Sequence, residues 1–168
     1  NLYCSKGLLE VNGEPLIERT IKQLQEVGIK EIYIVVGFMK EQYEYLMDKY
    51  GVNLLVNNEY ASKNNLHSLC IAKEYLHNAY IIPCDIWCKD NPYNEVELYA
   101  WYMVSDMEVE DSNVRVNRKL ELVTIPQNTP GNAMIHILQM KLQRSFRSIW
   151  KKWMEIACII MPFGKKHC

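Results

Sequence analysis

Asp85 is the residue best placed to do chemistry in this 168-residue chain. It follows the apolar run Ala79–Ile82 after only Pro83 and Cys84. A carboxylate just beyond a buried strand can hold a divalent cation such as Mg2+, which neutralises phosphate oxygens and orients them for in-line attack. An aspartate there can equally be a turn or cap residue. Lys6 offers a compact, mobile charge suited to phosphate, or a solvated side chain. Asn64, Asn65 and Ser68 lie where a polar loop gives way to an apolar-periodic segment. They could donate to a base or ribose, although N-capping explains one asparagine equally well. Trp87, Tyr99, Trp101 and Tyr102 cluster shortly after Asp85. Aromatic faces attract quaternary ammonium groups; they also form the packed side of a sheet.

Other chemistries find no support. The four histidines make no Cys/His or Ser/His arrangement, and neither G-x-G-x-x-G nor GK[ST] occurs. Six scattered cysteines read as free thiols, and Cys84 and Cys88, separated by three residues, lack a second pair to make a zinc site.

The elements that must position Asp85 and Lys6 alternate. A short apolar run, Leu8 to Val11, closes at the turn Asn12-Gly13. Glu14-Pro15 opens a helix whose apolar residues run from Leu16 to Val27 at helical spacing, and Gly28 stops it. Glu31–Gly37 is β-branched and almost continuously apolar, as in a strand buried on both faces. Met39–Tyr50 predicts a helix, Val52–Val56 a strand, Leu66–Leu76 a helix and Ala79–Ile82 a strand. Strands alternating with helices over short connections predict an α/β fold of right-handed βαβ units with a mostly parallel sheet. Ligands bind at the carboxyl ends of such strands, where Asp85 stands. Beyond Glu95 the pattern changes: Glu97–Ser105 and Val114–Thr124 read as two antiparallel strands, and 138–157 has helical periodicity.

The totals fit one domain of ordinary composition, with a net charge of −1 that favours no nucleic-acid partner. No apolar run approaches the roughly 20 residues of a membrane span, and NLYCSK has no apolar signal core, so a cytoplasmic location is expected. Charge is uneven, however. Residues 136–168 carry Lys141, Arg144, Arg147, Lys151, Lys152, Lys165 and Lys166 against the single acid Glu155.

The stretch KGLLEVNGEPLIERTIKQLQEVGIKEIYIVVGFMKEQYEYLMDKYGVNLLVNNEYASKNNLHSLCIAKEYL, and the chain on to about Ile135, resembles the CTP:phosphocholine cytidylyltransferases, a branch of the sugar-phosphate nucleotidyltransferases. The resemblance implies a Rossmann-like nucleotidyltransferase fold. It implies transfer of CMP from CTP to phosphocholine with Mg2+, giving CDP-choline and pyrophosphate, an activity bacterial relatives use to decorate surface polysaccharides. It implies Lys6 as a phosphate ligand, Asp85 as the metal-holding aspartate, and Asn64, Asn65 and Ser68 beside the nucleotide. Trp101 and Tyr102 fall in the region where relatives build the choline side. A sugar-1-phosphate nucleotidyltransferase and a non-catalytic nucleotide-binding remnant are the alternatives.

Departures accompany the resemblance. The family opens with a strand and a glycine-rich loop bearing an arginine, and neither precedes Lys6 here. Ser5 replaces a usual proline, and Pro83 stands where close relatives often carry an acid. Residues 1–135 are therefore expected to be an incomplete nucleotidyltransferase domain of low activity, followed by a basic tail, 136–168. That tail ends MPFGKKHC, where relatives have a segment like NAFWEEAL. A coding string A-ATG-CCT-TTT-GGG-AAG-AAG-CAT-TG yields MPFGKKH in one frame and NAFWEEAL in its neighbour. A frameshift near His136 would account for the switch to basic residues. The coding DNA tests it: the neighbouring frame should encode the Trp-Glu-Glu segment, and its absence from both other frames ends the idea.

Overall fold

The computed structural model describes residues 5–63, 65–140 and 158–162. Two-residue strands β1 (Glu10–Val11) and β2 (Glu14–Pro15) pair across Asn12-Gly13. Both turn residues have positive φ, 55° and 78°, the backbone that a tight Asn-Gly hairpin requires. Helix α1 spans Leu16–Glu26. Pro15, extended at ψ 138°, is its cap rather than its first turn, so the helix starts just after the expected Glu14-Pro15. It ends at Gly28, whose φ of +88° an L side chain rarely adopts.

One six-stranded sheet organises the rest, in the order β4-β3-β8-β5-β7-β6. Its members are β3 (Tyr33–Val36), β4 (Asn53–Val56), β5 (Ala79–Pro83), β6 (Trp101–Val116), β7 (Leu122–Met140) and β8 (Cys158–Pro162). β3 and β4 pair in parallel. β8 runs antiparallel to both β3 and β5, and β7 antiparallel to both β5 and β6. Strands β3, β4, β5 and β6 therefore share one direction, and their carboxyl ends lie on one edge.

Period-2 alternation assigns the two faces. Ile34, Val36, Tyr80 and Ile82 pack with Ile17, Ile21 and Leu24 of α1 and Leu46 of α2 (Tyr45–Tyr50). Val35, Ala79 and Ile81 pack on the other side with Leu69, Ala72 and Leu76, in and after α3 (Asn65–Ile71). The α/β architecture is that expected from the alternating pattern.

Several boundaries differ, for local reasons. Residues Lys6–Leu8 form a 3-10 turn rather than the start of a strand, because Gly7 is drawn against Cys84. The expected Met39–Tyr50 helix divides into a 3-10 turn, Lys40–Tyr43, and α2; Met39 sits in the left-handed region, which cannot begin a continuous helix. Likewise Leu66–Leu76 divides into α3 and a 3-10 turn, Lys73–Tyr75. β6 and β7 are far longer than Glu97–Ser105 and Val114–Thr124, and the second expected strand straddles their turn, where Leu120 has φ 60°. Four register shifts interrupt that hairpin, and they hide its period-2 signal. Residues 138–140, expected to be helical, belong to β7; residues 141–157 lie outside the described residues. Tail segments 136–140 and 158–162 are thus part of the sheet.

α1 and α2 are joined by a buried acid. Glu18, 6 % exposed, accepts from Tyr45 Oη at 2.9 Å, from Lys49 Nζ at 2.8 Å and from Tyr50 Oη. Burial alone would raise its pKa, but these donors outweigh burial and hold it below its ordinary 4.5. Its stabilisation is therefore complete above the unfolded pKa and disappears as pH falls through the lower folded pKa. Glu18→Gln should cost about 1–3 kcal/mol in urea unfolding at pH 7, and the gap from the unaltered chain should narrow at pH 3. An equal gap at both pH values would contradict this assignment.

Candidate active site

The carboxyl ends of β3, β4 and β5 deliver Gly37, Asn57 and Cys84-Asp85 to one sheet edge. The Lys6–Leu8 turn arrives at the same place. A Cβ built on Gly7 would lie 3.1 Å from Cys84 Cβ and 3.1 Å from Tyr43 Oη, so only glycine allows the turn to lie this close. Ser5 holds its other side: its Oγ is hydrogen-bonded to the Tyr43 hydroxyl, and its backbone N–H donates to Gln42 Oε1 at 3.5 Å.

Cys84 thus adjoins both charges singled out from sequence: it precedes Asp85 in the chain and touches the Gly7 of the Lys6 turn. Lys6 and Asp85 are both exposed. Burial pushes the Cys84 thiol up to about 11; the Asp85 charge adds to the rise and the Lys6 charge opposes it. Both charges are thus close enough to act on the same sulfur. A cation between a carboxylate and an incoming phosphate, with a lysine on the phosphate, is an arrangement this edge can provide.

Mg2+ fits these residues in one mode only. Among the described residues no group of three or more His, Cys, Asp or Glu could cage a metal. A single exposed carboxylate, with the remaining ligands from water and substrate phosphates, is a common Mg2+ arrangement.

Ser68 is buried and accepts from Asn57 Nδ2 at 3.0 Å, while Asn57 Oδ1 accepts from the Glu59 backbone N–H at 2.9 Å. Asn57 therefore fastens the loop after β4 onto α3. Asn65 begins α3, and Asn64 lies outside the described residues. Trp101 and Tyr102 are set apart from Lys6 and Asp85. Trp101 lies opposite Gln139, itself opposite Tyr80, near the start of β5. Its ring packs edge-on against Tyr80, 5.7 Å between centroids. Tyr80 Oη donates to Glu97 Oε1 at 2.6 Å. Burial works to raise the Glu97 pKa, but donors from Tyr80, Asn94 and Trp101 bring it below the carboxylate norm. Trp87 lies beneath Arg19, whose guanidinium carbon is 5.8 Å from the ring centroid.

Sequence reasoning missed Gly7, Gln42, Tyr43 and Asn57. Only glycine at Gly7 left a legible signal; the others act through partners far along the chain.

A model of the MobA-like NTP transferase domain matches residues 3–93, more than half of the chain. The chain belongs to the MobA-like NTP transferase family. Within that family its likeness is to cytidylyltransferases. It is 48% identical over 100 residues to a choline-phosphate cytidylyltransferase of Streptococcus pneumoniae, covering 59% of this chain and 44% of the relative. It is 41% identical over 81 residues to a 2-aminoethylphosphonate cytidylyltransferase of Lancefieldella rimae, covering 48% and 33%. A solved structure of the CTP:phosphocholine cytidylyltransferase of Streptococcus pneumoniae superposes with a TM-score of 0.74 at 30% identity, over 89% of this chain and 67% of that one. The chain spans less than half the length of these curated relatives.

Cys84 reports on this edge of the MobA-like domain. At pH 8 it should alkylate with iodoacetamide far more slowly than the exposed Cys70, as followed by mass spectrometry. Asp85→Asn removes one cause of the raised pKa and should speed Cys84 modification selectively. An unchanged Cys84 rate in Asp85→Asn would separate the two residues.

Proposed function

We propose that this chain is a nucleotide-handling portion of a cytidylyltransferase that transfers CMP from CTP to phosphocholine, giving CDP-choline and pyrophosphate. The observation that carries this is the close approach of the Lys6 turn to Cys84, the residue before Asp85, at the carboxyl ends of strands sharing one direction. The 48% identity to a choline-phosphate cytidylyltransferase supports the substrate pair.

In the proposed reaction a phosphate oxygen of phosphocholine attacks the α-phosphorus of CTP. The bond to the bridging oxygen of the β-phosphate breaks, and pyrophosphate leaves with that oxygen. Asp85 would hold Mg2+, which when bound neutralises phosphate charge and raises the electrophilicity of phosphorus. Lys6 would neutralise phosphate oxygens directly. The loop after β4 and the start of α3, with Asn64 and Asn65, would flank the nucleotide, and the buried Asn57–Ser68 hydrogen bond would hold them in place. The protein's share is positioning and charge, as in phosphoryl transfers generally. Trp101 and Tyr102 would serve the acceptor only across the breadth of the sheet, where Trp101 packs on Tyr80. A reaction drawing on CTP would run in the cytoplasm, where the nucleotide is available.

Turnover by these 168 residues should be slow, because no glycine-rich segment for the triphosphate lies within them. The test supplies CTP, phosphocholine and Mg2+ and follows pyrophosphate, with binding of CTP measured in parallel. Expected are Mg2+-dependent CTP binding, weakened at least tenfold by Asp85→Asn, and little pyrophosphate. Fast release would show that these residues suffice. CTP binding indifferent to Asp85→Asn would remove the proposed site. Preference for 2-aminoethylphosphonate or glucose 1-phosphate over phosphocholine would reassign the acceptor.

A further inference from the structure

Two large aromatic side chains stand exposed at the edge that carries Asp85, and no part of the reaction described so far uses them. Phe38 is 60% exposed and Tyr60 is 47% exposed, at a ring separation of 6.1 Å and a tilt of 52°. Phe38 follows the carboxyl end of β3, and Tyr60 belongs to the loop after β4. Phe38 follows Gly37 directly, and Tyr60 lies over Gly37 so closely that a Cβ there would come within 2.6 Å of Tyr60 Cβ and 2.8 Å of its Cγ. Glycine at 37 is what admits the tyrosine. Met39, next in line, holds φ 56° and ψ 39°, a left-handed conformation unusual for a residue without special tolerance of it. Such outliers persist where the surroundings enforce them, and they concentrate at ligand sites. The same short segment continues into Gln42 and Tyr43, which hold Ser5 beside Lys6. The segment that carries Phe38 thus also supports the Lys6 turn, through Gln42 and Tyr43.

We propose that Phe38 and Tyr60 form the stacking platform for the nucleobase of the bound triphosphate. This inference rests on the nucleotidyltransferase reading above. Distance selects the occupant. β3 and β5 both pair with β8, so their ends are two strand spacings apart, about 10 Å. A phosphorus held beside Asp85 is separated from a choline nitrogen by only an oxygen and two carbons, too short a reach. A ribose interposed between phosphate and base spans it. Charge agrees: Glu59, the acid adjacent to Tyr60, is already engaged by Lys63 at 3.1 Å and His67 at 2.8 Å. A quaternary ammonium would compete with Lys63 and His67 for this carboxylate, whereas a neutral base needs none. Stacking accepts every base, because each has a π face. The platform therefore sets affinity for nucleoside triphosphates and leaves the choice of cytosine to other groups.

The test compares Mg2+-CTP with Mg2+-tripolyphosphate, which has the phosphates and no base, by calorimetric titration of the full chain. Phe38→Ala/Tyr60→Ala should weaken CTP roughly tenfold or more and leave tripolyphosphate within twofold. Phe38→Trp should retain CTP. UTP should fall with CTP in the double variant. Gly37→Ala, which displaces the Tyr60 ring, should weaken CTP without altering tripolyphosphate. Asp85→Asn should weaken both ligands. If the double variant binds CTP as tightly as the unaltered chain while Asp85→Asn does not, the platform is overturned and the catalytic reading stands. If the double variant loses both ligands equally, the loss is not base-specific and the platform is again overturned. If the unaltered chain binds neither ligand, both readings fall together.

Discussion

The antiparallel strand β8 holds the two halves of the sheet together. β3 and β5 point the same way but do not touch; each takes its neighbouring ladder from β8. An unpaired buried backbone is costly, so without that strand both would expose a row of peptide groups in mid-sheet. The edge where Lys6, Asp85, Gly37 and Asn57 meet exists because β8 spaces β3 and β5 by two strand widths. Residues 158–162, in the tail whose charge suggested foreign sequence, thus have a definite structural place. The carboxyl edge is defined jointly by the βαβ portion and by a segment far along the chain, Cys158–Pro162.

Around that edge, close approach is achieved mainly by glycine. Gly7 lets a 3-10 turn rest on Cys84 and Tyr43, and Gly37 lets an aromatic ring rest on β3. The polar contacts are few and specific: Asn57 to Ser68, Ser5 to Tyr43, Ser5 to Gln42. Glu18, with its three donors, fixes α1 against α2 on the face beneath. Fixing α2 also steadies the 3-10 turn that precedes it, and with it the support of Lys6.

The sequence made the βαβ core legible because its signals are local. EIYIVV announces a strand buried on both faces, and the Leu16–Leu24 spacing announces a helix whose inner residues are indeed buried. Asp85 was legible for the same reason, as a carboxylate just past an apolar run. Pairing order was not legible, since β8 finds β3 and β5 through contacts with no sequence proximity. The β6–β7 hairpin was misjudged in extent because its bulges break alternation. Trp101 drew attention by type, yet its surroundings, Tyr80 and Glu97, are set by tertiary packing. Phe38 and Tyr60 look unremarkable in sequence; their pairing depends on a loop folding back over Gly37.

The β6–β7 hairpin has a consequence for how the molecule behaves in a crowded solution. β6 forms the outer boundary of the sheet, and a boundary strand of sixteen residues is an invitation for another chain to add itself. Three features discourage that. Asp106, Glu108 and Glu110 place negative charge along the strand; its register shifts bend it; and Ser112 spends its hydroxyl on the Asn132 carbonyl within the hairpin. Exposed Met107 and Leu120 work against this protection. The acidic side chains along this strand thus oppose fibrous self-addition.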